Sequence, residues 1–449
     1  MTTAVDPKQL MEQSNMRGFQ LMAVAICIAL NALDGFDVLA ISFAAPGIAS
    51  EWAINRAELG VVLAMELAGM ALGSITLGGL ADHMGRRPTI LVCLMLMTVG
   101  MYLVSLSQSV NSLLMLRFVT GLGIGGMLAS TNAMVAEYSN AKYRNLAVIL
   151  MATGYPVGAM LGGAVVSELL IHTDWRGIFE FGAICNGAFL VVVWFFLPES
   201  VEYLCKHPSE ESLHRVNLTL KKLGHQPINA LPPSSVEQPQ FSYGTLLSKP
   251  FRRLTVLLCV GYFFHIMTFY YVLKWIPKIV VDMGYDPSTA STVLVWANLG
   301  GACGALLLGL LSHRFSLKPM LTAILLIAAL MVSLFGLEQS SLTGLTTIAA
   351  ATGFFTNAGV VGFYALMASS FPARVRASGT GLVIGIGRGG AALGPVVGGL
   401  LFTAGFSLLI TSVLMALGAL LAAAVVCRLG SRANQDGTAR SDRLLLEDE

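Results

Sequence analysis

The sequence has few charged residues and no excess of either sign. Its 449 residues include 27 Lys and Arg and 25 Asp and Glu, so 12% of the chain is charged. A soluble domain usually carries about 25%. The formal net charge of +2 also offers none of the clustered basic surface that nucleic-acid binding requires. The composition therefore argues against a water-soluble fold and against a nucleic-acid partner.

Motifs of enzymes and of cofactor-binding proteins are missing as well. The seven cysteines have neither paired nor metal-ligand spacing, and all but Cys205 lie in apolar stretches. The chain contains no Gly-x-x-x-x-Gly-Lys phosphate loop, no nucleophile triad and no metal constellation. We therefore expect no enzymatic activity, no cofactor and no direct use of ATP.

Long apolar runs dominate the chain instead, and hydrophobic residues make up 55% of it. A helix needs roughly 20 mostly apolar residues to cross a hydrocarbon core about 30 Å thick. Twelve segments meet this requirement, so the sequence predicts an all-α membrane protein. The predicted spans are 19–45, 57–80, 89–107, 111–136, 144–170, 177–198, 252–281, 289–312, 319–337, 342–369, 376–403 and 405–427.

The spacing of the spans divides the chain into two halves. Residues 1–198 form a predicted six-helix bundle, and residues 251–427 form a second one. The linker, 199–250, is polar and punctuated by proline, with one short helix predicted near 209–223. Residues 428–449 are predicted to be a tail.

The distribution of cations predicts how the chain is oriented. With the N-terminus inside, 21 of the 27 Lys and Arg residues fall in cytoplasmic regions, and only Arg56 and Arg176 lie in the opposite loops. Because short cytoplasmic loops collect Lys and Arg, both termini and the linker are predicted to be cytoplasmic.

The two halves also resemble each other in sequence. Residues 78–88 align with 309–319, and residues 154–163 align with 390–399, at offsets of 231 and 236. Two matches at similar offsets are expected of a duplicated transporter.

Several motifs resemble those of a known family. Residues 78–88 contain Gly-x-x-x-Asp-x-x-Gly-Arg-Arg, which matches the loop signature of the major facilitator superfamily between the second and third spans. Asp34-Gly-Phe-Asp37 in span one, the glycine-rich segment 117–126 in span four, Glu137 and Arg388 together resemble the aromatic acid:proton symporter family. The resemblance covers nearly the whole chain.

This resemblance implies a function and a location. A member would import an aromatic carboxylate, of the benzoate or hydroxybenzoate type, by proton symport. Transport would proceed by alternating access, with the two bundles rocking about a site near the midplane. It would lie in the bacterial inner membrane, in contact with the lipid bilayer, and we expect a monomer.

Ionisable residues within spans are costly and are therefore functional candidates. Asp34 and Asp37 lie on one face of a helix. Two neighbouring carboxylates in a low dielectric do not both ionise readily, so we expect the pair, and Asp37 above all, to carry protons. Glu66 in span two is a third candidate. Alternatively, an aspartate caps a helix break at Gly35 or pairs with a cation, and Glu66 serves only in an ion pair.

An aromatic carboxylate needs a cation for its charged end and apolar walls for its ring. Arg117 and Arg388 are the predicted anchors, because a guanidinium binds a carboxylate in bidentate geometry. Arg117 could instead pair with an acid of span one. Residues of spans seven, eight and ten that are predicted to contact the substrate, or alternatively to serve helix packing, are His265, Tyr270, Trp296, Asn298 and Asn357. Lys274 and Trp275 suit anchoring at the membrane interface.

A further set of charges is predicted to control conformation. In this superfamily the loop signature ties helix ends together in one state and releases them in the other. The resemblance assigns this gating role to Asp82, Arg86 and Arg87, to Glu137 at the end of span four and to Arg376 at the start of span eleven.

One alternative function is a proton-coupled efflux antiporter for drugs or other organic acids. Antiporters typically carry Gly-x-x-x-Gly-Pro-x-x-Gly-Gly in span five. Here Ala159 takes the proline position in that span, and the complete pattern occurs in span eleven. A nutrient sensor is a third possibility, although the 22-residue tail does not resemble a signalling domain. The motif therefore favours uptake over efflux.

Overall fold

The computed structural model describes residues 6–231, 246–312, 314–337, 341–372 and 375–444, with side chains up to residue 429 except at 145, 249, 250 and 377. Every regular element within these ranges is an α-helix. The helices are α1 Pro7–Gln13, α2 Gly18–Trp52, α3 Arg56–Met84, α4 Arg86–Ser105, α5 Val110–Tyr138, α6 Arg144–His172, α7 Trp175–Phe196, α8 Val201–Lys206, α9 Glu210–Lys222, α10 Lys249–Asp282, α11 Pro287–Leu311, α12 Leu317–Phe335, α13 Leu342–Ser370, α14 Arg376–Thr403 and α15 Leu408–Leu444.

The twelve predicted spans are confirmed. Among the described residues, twelve helices, α2–α7 and α10–α15, are long and apolar enough to cross a membrane. The linker helix predicted near 209–223 corresponds to α9. The first span is longer than predicted, because α2 continues through Pro46 to Trp52 instead of ending at residue 45. The short helices α1 and α8 were not predicted.

The chain divides into two compact units. The first comprises Met1–Ala53, Met65–Gln240 and Asp286–Ser291, and the second comprises Ile54–Ala64, Phe241–Tyr285 and Thr292–Glu449. Within the first, α2 packs on α6 and α7, and α4 packs on α5 and α7. Within the second, α10 packs on α14 and α15, and α12 packs on α13 and α15.

Glycines set the closest helix contacts in the first unit. A Cβ atom at Gly35 or Gly158 would come within 3.0 Å of a carbonyl oxygen across the contact between α2 and α6. The same holds at Gly73 and Gly121 between α3 and α5. These positions must therefore lack a side chain if the backbones are to meet.

The second unit uses the same device between the corresponding helices. Gly390 and Gly394 bring α14 against α10, and Gly300 and Gly353 bring α11 against α13. In chain order these are the first and fifth, and the second and fourth, spans of that half. The repeat seen in the sequence thus has a counterpart in helix packing.

These contacts give a first test of the fold. We expect Gly73→Ala to lower the melting temperature of the detergent-purified protein, because its Cβ would clash with the Leu122 main chain, and such overpacking typically costs about 1–3 kcal/mol. Gly79→Ala, on the same helix, should have little effect, since a Cβ there meets nothing within 4 Å. Equal melting temperatures for the two variants would contradict this account of the contact.

Candidate functional site

A hydrogen-bonded pair joins α2 to α7 deep inside the first unit. The Asp37 side chain is fully buried, and its Oδ2 accepts a hydrogen bond from Asn186 Nδ2 at 2.7 Å. Asn186 Nδ2 also donates to the Gly182 carbonyl at 2.9 Å, which fixes the orientation of the amide. Among the described residues, no hydrogen bond reaches Asp37 Oδ1. Asp37 therefore retains an oxygen that can take up a proton.

An arginine links two further helices to this pair. Arg117 of α5 is fully buried, and its Nη2 forms an ion pair with the fully buried Glu66 carboxylate of α3. Arg117 Nη2 also donates to the main-chain carbonyl of Asp37 at 3.0 Å. We call Asp37, Glu66, Arg117 and Asn186 the buried ionic cluster.

Apolar side chains surround the guanidinium of Arg117. Its Cζ lies 5.4 Å from the centroid of the Phe179 ring, and its Nη1 lies 3.4 Å from the Met101 sulfur. In such surroundings an uncompensated ion is costly. Since arginine does not lose its proton, the two carboxylates and one guanidinium of the buried ionic cluster balance in charge when one carboxyl group is protonated.

The close approach of α3 and α5 brings Glu66 to Arg117. A Cβ at Gly121, one turn after Arg117, would clash with the Glu66 main-chain oxygen. The glycine-rich segment of α5 therefore accommodates a neighbouring helix. Arg117 pairs with Glu66 of the second span, and the first span contributes the carbonyl of Asp37.

Asp34 lies one turn before Asp37 and is also buried, at 1% exposure. The alternative in which an aspartate caps a break at Gly35 is wrong, because α2 is continuous from Gly18 to Trp52. Gly35 instead lies against the main chain of Tyr155 in α6. All three residues predicted to couple protons are thus buried in the first unit. Arg117 contacts the carboxylate of Glu66 and the main-chain carbonyl of Asp37.

A second group of charges surrounds the loop between α3 and α4, and we call it the signature-loop cluster. Arg86 pairs with Asp82 at 2.9 Å and lies 3.8 Å from Glu137. Glu137 accepts a hydrogen bond from Ser200 Oγ. Three of the five predicted gating residues, Asp82, Arg86 and Glu137, are therefore joined through their side chains. A fourth, Arg87, follows Arg86 in the chain, and its guanidinium donates to the Trp194 carbonyl. The fifth, Arg376, lies in the second unit, where its Nε donates to the Phe371 carbonyl at 3.3 Å.

Glu199 is a member of this cluster that the sequence did not single out. Its Oε1 accepts hydrogen bonds from the backbone N–H groups of Arg86, Arg87 and Ser200 at 2.8, 3.2 and 2.8 Å. The carboxylate therefore caps the N-terminus of α4, where a negative charge is favourable. The sequence around it, Pro198-Glu-Ser, gives no indication that the carboxylate caps a helix of another segment.

Two substitutions of Glu199 distinguish the effect of its charge from the effect of its hydrogen bonds. Burial raises the pKa of the Glu199 carboxyl, and the three backbone hydrogen bonds offset part of this rise. We expect Glu199→Gln to leave the melting temperature nearly unchanged at neutral pH, because the lost charge also removes a desolvation cost. Glu199→Ala should lose about 1–3 kcal/mol, since it leaves buried N–H donors unsatisfied.

The pH dependence supplies the control. The native protein binds the Glu199 proton more tightly than the unfolded chain, so the stability of the wild type relative to Glu199→Gln should fall as pH rises above about 4.5. If the wild type instead became more stable relative to Glu199→Gln as the pH rises, the buried environment assigned to Glu199 would be wrong.

In the second unit, Arg388 is half-buried on α14 beside α10. The neighbouring Gly387 lies against the Tyr262 ring, and Tyr262 Oη donates to Tyr364 Oη at 3.2 Å. A cation and two phenol groups therefore occupy one region of this unit. Neither tyrosine was predicted to contact substrate, because aromatic residues are common in membrane helices and give no specific signal.

The other residues predicted to contact substrate are more dispersed. His265 is buried and bonds the Thr356 carbonyl at 2.8 Å. Asn298 donates to Leu294 within its own helix, and Asn357 ties α13 to the Gly301 carbonyl of α11, both at 2.9 Å. These three placements agree with the packing alternative.

Tyr270 is half-buried, and its ring packs edge-on against Phe269, whereas Trp296 is 47% exposed. Lys274 and Trp275 are not interfacial anchors, because their exposures are only 0% and 1%. Trp275 Nε1 donates to the Pro395 carbonyl of α14 at 3.1 Å. The prediction that Lys274 and Trp275 anchor the chain at the membrane interface is wrong, because this face of α10 packs on another helix.

Curated relatives align with most of the chain. A gallate transporter of Pseudomonas putida is 27% identical over 95% of both chains. A 4-hydroxybenzoate transporter of Acinetobacter baylyi is 28% identical, covering 89% of this chain and 88% of its own. A 3-(3-hydroxy-phenyl)propionate transporter of Escherichia coli is 27% identical, covering 92% and 94%. These relatives confirm the resemblance found in the motifs.

The fold is shared with solved transporters. A bacterial homologue of the human lysosomal transporter Spinster superposes with a TM-score of 0.67 at 17% identity, covering 93% of this chain and 98% of that one. The family model of the Major Facilitator Superfamily matches residues 27–275 and 258–443. The protein is thus a transporter and not an enzyme, and the chain belongs to the Major Facilitator Superfamily.

Proposed function

We propose that the protein imports an aromatic carboxylate together with protons, by alternating access. The single observation that carries the proton step is the buried ionic cluster. Arg117 forms an ion pair with Glu66 and donates to the main-chain carbonyl of Asp37, and Asp37 Oδ1 accepts no hydrogen bond from the described residues. Uptake of one proton would balance the charge, and its release would restore the excess of negative charge.

The relatives support the class of substrate. Gallate, 4-hydroxybenzoate and 3-(3-hydroxy-phenyl)propionate, named for three of them, each combine a carboxylate with a hydroxylated ring. In this chain Arg388 would bind the carboxylate, and the Tyr262 and Tyr364 hydroxyls would bond to ring hydroxyls. Arg117 remains a predicted anchor, although its pairing with Glu66 favours a role in coupling.

The signature-loop cluster would provide the conformational control. Its ion pairs and the Glu199 cap join α3, α4, α5 and the segment that follows α7. Breaking them would let these helix ends move. We retain residues 1–198 and 251–427 as the transport bundles, with the linker and both termini on the cytoplasmic side of the inner membrane.

Uptake into energised vesicles tests this proposal. Radiolabelled 4-hydroxybenzoate, gallate, benzoate and a non-aromatic acid would be offered to vesicles with an imposed pH gradient. We expect accumulation of the aromatic acids only when the interior is alkaline.

The proposed substrate anchor has a test of its own. Arg388→Ala should raise the KM for the aromatic acid strongly. Arg388→Lys should recover part of the lost affinity, because lysine keeps the charge but not the bidentate geometry.

Two results would overturn the proposal. Uptake that ignores the pH gradient would exclude proton symport, and expulsion of preloaded acids or dyes driven by the gradient would establish efflux instead. A protonophore control distinguishes coupling from leakage, because it should abolish accumulation while leaving exchange of labelled for unlabelled substrate intact.

A further inference from the structure

A cavity of about 290 Å³ lies in the first unit, apart from the buried ionic cluster. Its walls come from the start of α2, the start of α4, the segment after α7, and the helices α8 and α9. Three cations line it, Arg87, Arg215 and Lys222. The one carboxylate in the lining is Glu199, whose Oε1 is held by three backbone N–H groups. The cavity is therefore a cationic site.

The cations stand beside apolar surface. Phe19, Leu204 and Leu218 also line the cavity. The Lys222 ammonium lies 4.6 Å from the centroid of the Phe19 ring, and Leu218 is 47% exposed. A ligand for this cavity would therefore combine a negative charge with an apolar portion.

The position of the cavity indicates where that ligand would come from. Phe19 and Arg87 each belong to the first turn of a predicted membrane span, so the cavity lies at the level of the membrane surface. The Arg87 guanidinium donates to the Trp194 carbonyl and lies 6.0 Å from the centroid of its ring. Trp194 and Phe195 are 58% and 73% exposed, as expected of aromatic residues at a lipid interface.

Helix α9 exposes its cations to the surroundings of the protein. Val216 and Leu220 are buried, while Arg215 and Lys222 are exposed. Arg215 pairs with Glu211 on its own helix, so it neutralises a phosphate only in part, whereas Lys222 contacts the Phe19 ring. The apolar face of α9 is therefore covered by the protein, and the two cations lie on its exposed face.

We propose that this cavity binds the headgroup of an anionic phospholipid from the leaflet on the side of the N-terminus. Arg87, Arg215 and Lys222 contact the phosphate and glycerol groups, and Leu218 and Phe19 contact the upper part of an acyl chain. Basic pockets between membrane helices bind such headgroups. Arg87 and Glu199 belong to the signature-loop cluster and also line the cavity. A bound lipid would therefore connect α9 to that cluster.

Lipid retention by the purified full-length protein tests the site. The protein in a neutral detergent would be titrated with phosphatidylglycerol or phosphatidylcholine and analysed by native mass spectrometry. We expect a preference for phosphatidylglycerol. A Lys or Arg beside an anionic headgroup contributes about fivefold, and Arg215 contributes less because it also pairs with Glu211. Arg215→Gln with Lys222→Gln should therefore weaken phosphatidylglycerol binding by about 5- to 25-fold. Lys221→Gln, on the same helix but outside the lining, should change it less than twofold.

Two further arms identify the source of the phosphate. Inorganic phosphate and deacylated glycerophosphoglycerol should compete poorly with the intact lipid, and Leu218→Ser should weaken binding of the lipid but not of the headgroup alone. If inorganic phosphate displaces the lipid at equal concentration, the site binds a free anion and the proposal fails. It also fails if the double variant, at an unchanged melting temperature, keeps its preference for phosphatidylglycerol.

Discussion

Asp37→Asn should abolish accumulation driven by a pH gradient while leaving the protein able to exchange substrate. Asparagine keeps the size of the side chain and can still accept a hydrogen bond from Asn186, but it cannot carry a proton. A gradient of one pH unit supplies about 1.4 kcal/mol for each proton, which is about a tenfold accumulation. We therefore expect the ratio of internal to external substrate to fall from about ten to about one.

The neighbouring aspartate is the matched control. Asp34→Asn makes the same chemical change one turn away, at a side chain that is equally buried. Because Asn186 and Arg117 both contact Asp37, we expect Asp34→Asn to slow uptake but to keep its dependence on the gradient. If Asp37→Asn accumulates substrate as the wild type does, or if only Asp34→Asn loses coupling, then a carboxylate other than Asp37 carries the proton.

The sequence predicted the spans because each is a long apolar run with polar ends. That signal depends on composition over about 20 residues, so it held for α2 to α7 and for α10 to α15. Helices α1 and α8 have only seven and six residues, which gives no comparable signal. They are held by pairs between distant segments, such as Lys8 with Glu202 at 3.1 Å.

The buried ionic cluster shows where prediction from sequence ended. Asp37, Glu66 and Arg117 were each selected, because an ionisable residue within a span is rare and costly. Their pairing depends on how α3 crosses α5 at Gly121, which no single span reveals. Asn186 was missed because a neutral amide in an apolar run carries a weak signal until its partner is known.

The Glu66–Arg117 pair leads to the largest expected effect on stability. Arg117→Met should destabilise the protein by about 3–5 kcal/mol, because it leaves a carboxylate buried without its partner. Arg117→Met combined with Glu66→Gln should recover most of that loss, since no uncompensated charge then remains at these two positions. The measurement is thermal unfolding of the detergent-purified protein, monitored by size-exclusion chromatography. Both single variants and the double variant would be compared.

Transport by the double variant then separates structure from coupling. If the pair only holds α3 to α5, the variant that regains its melting temperature should also regain uptake. We expect it to remain inactive in gradient-driven uptake, because removing Glu66 and Arg117 leaves Asp37 without the charges against which its proton is exchanged. If the double variant is as unstable as Arg117→Met, the guanidinium stabilises the protein chiefly through its bond to the Asp37 carbonyl. The stabilising contact would then be the one between α5 and α2.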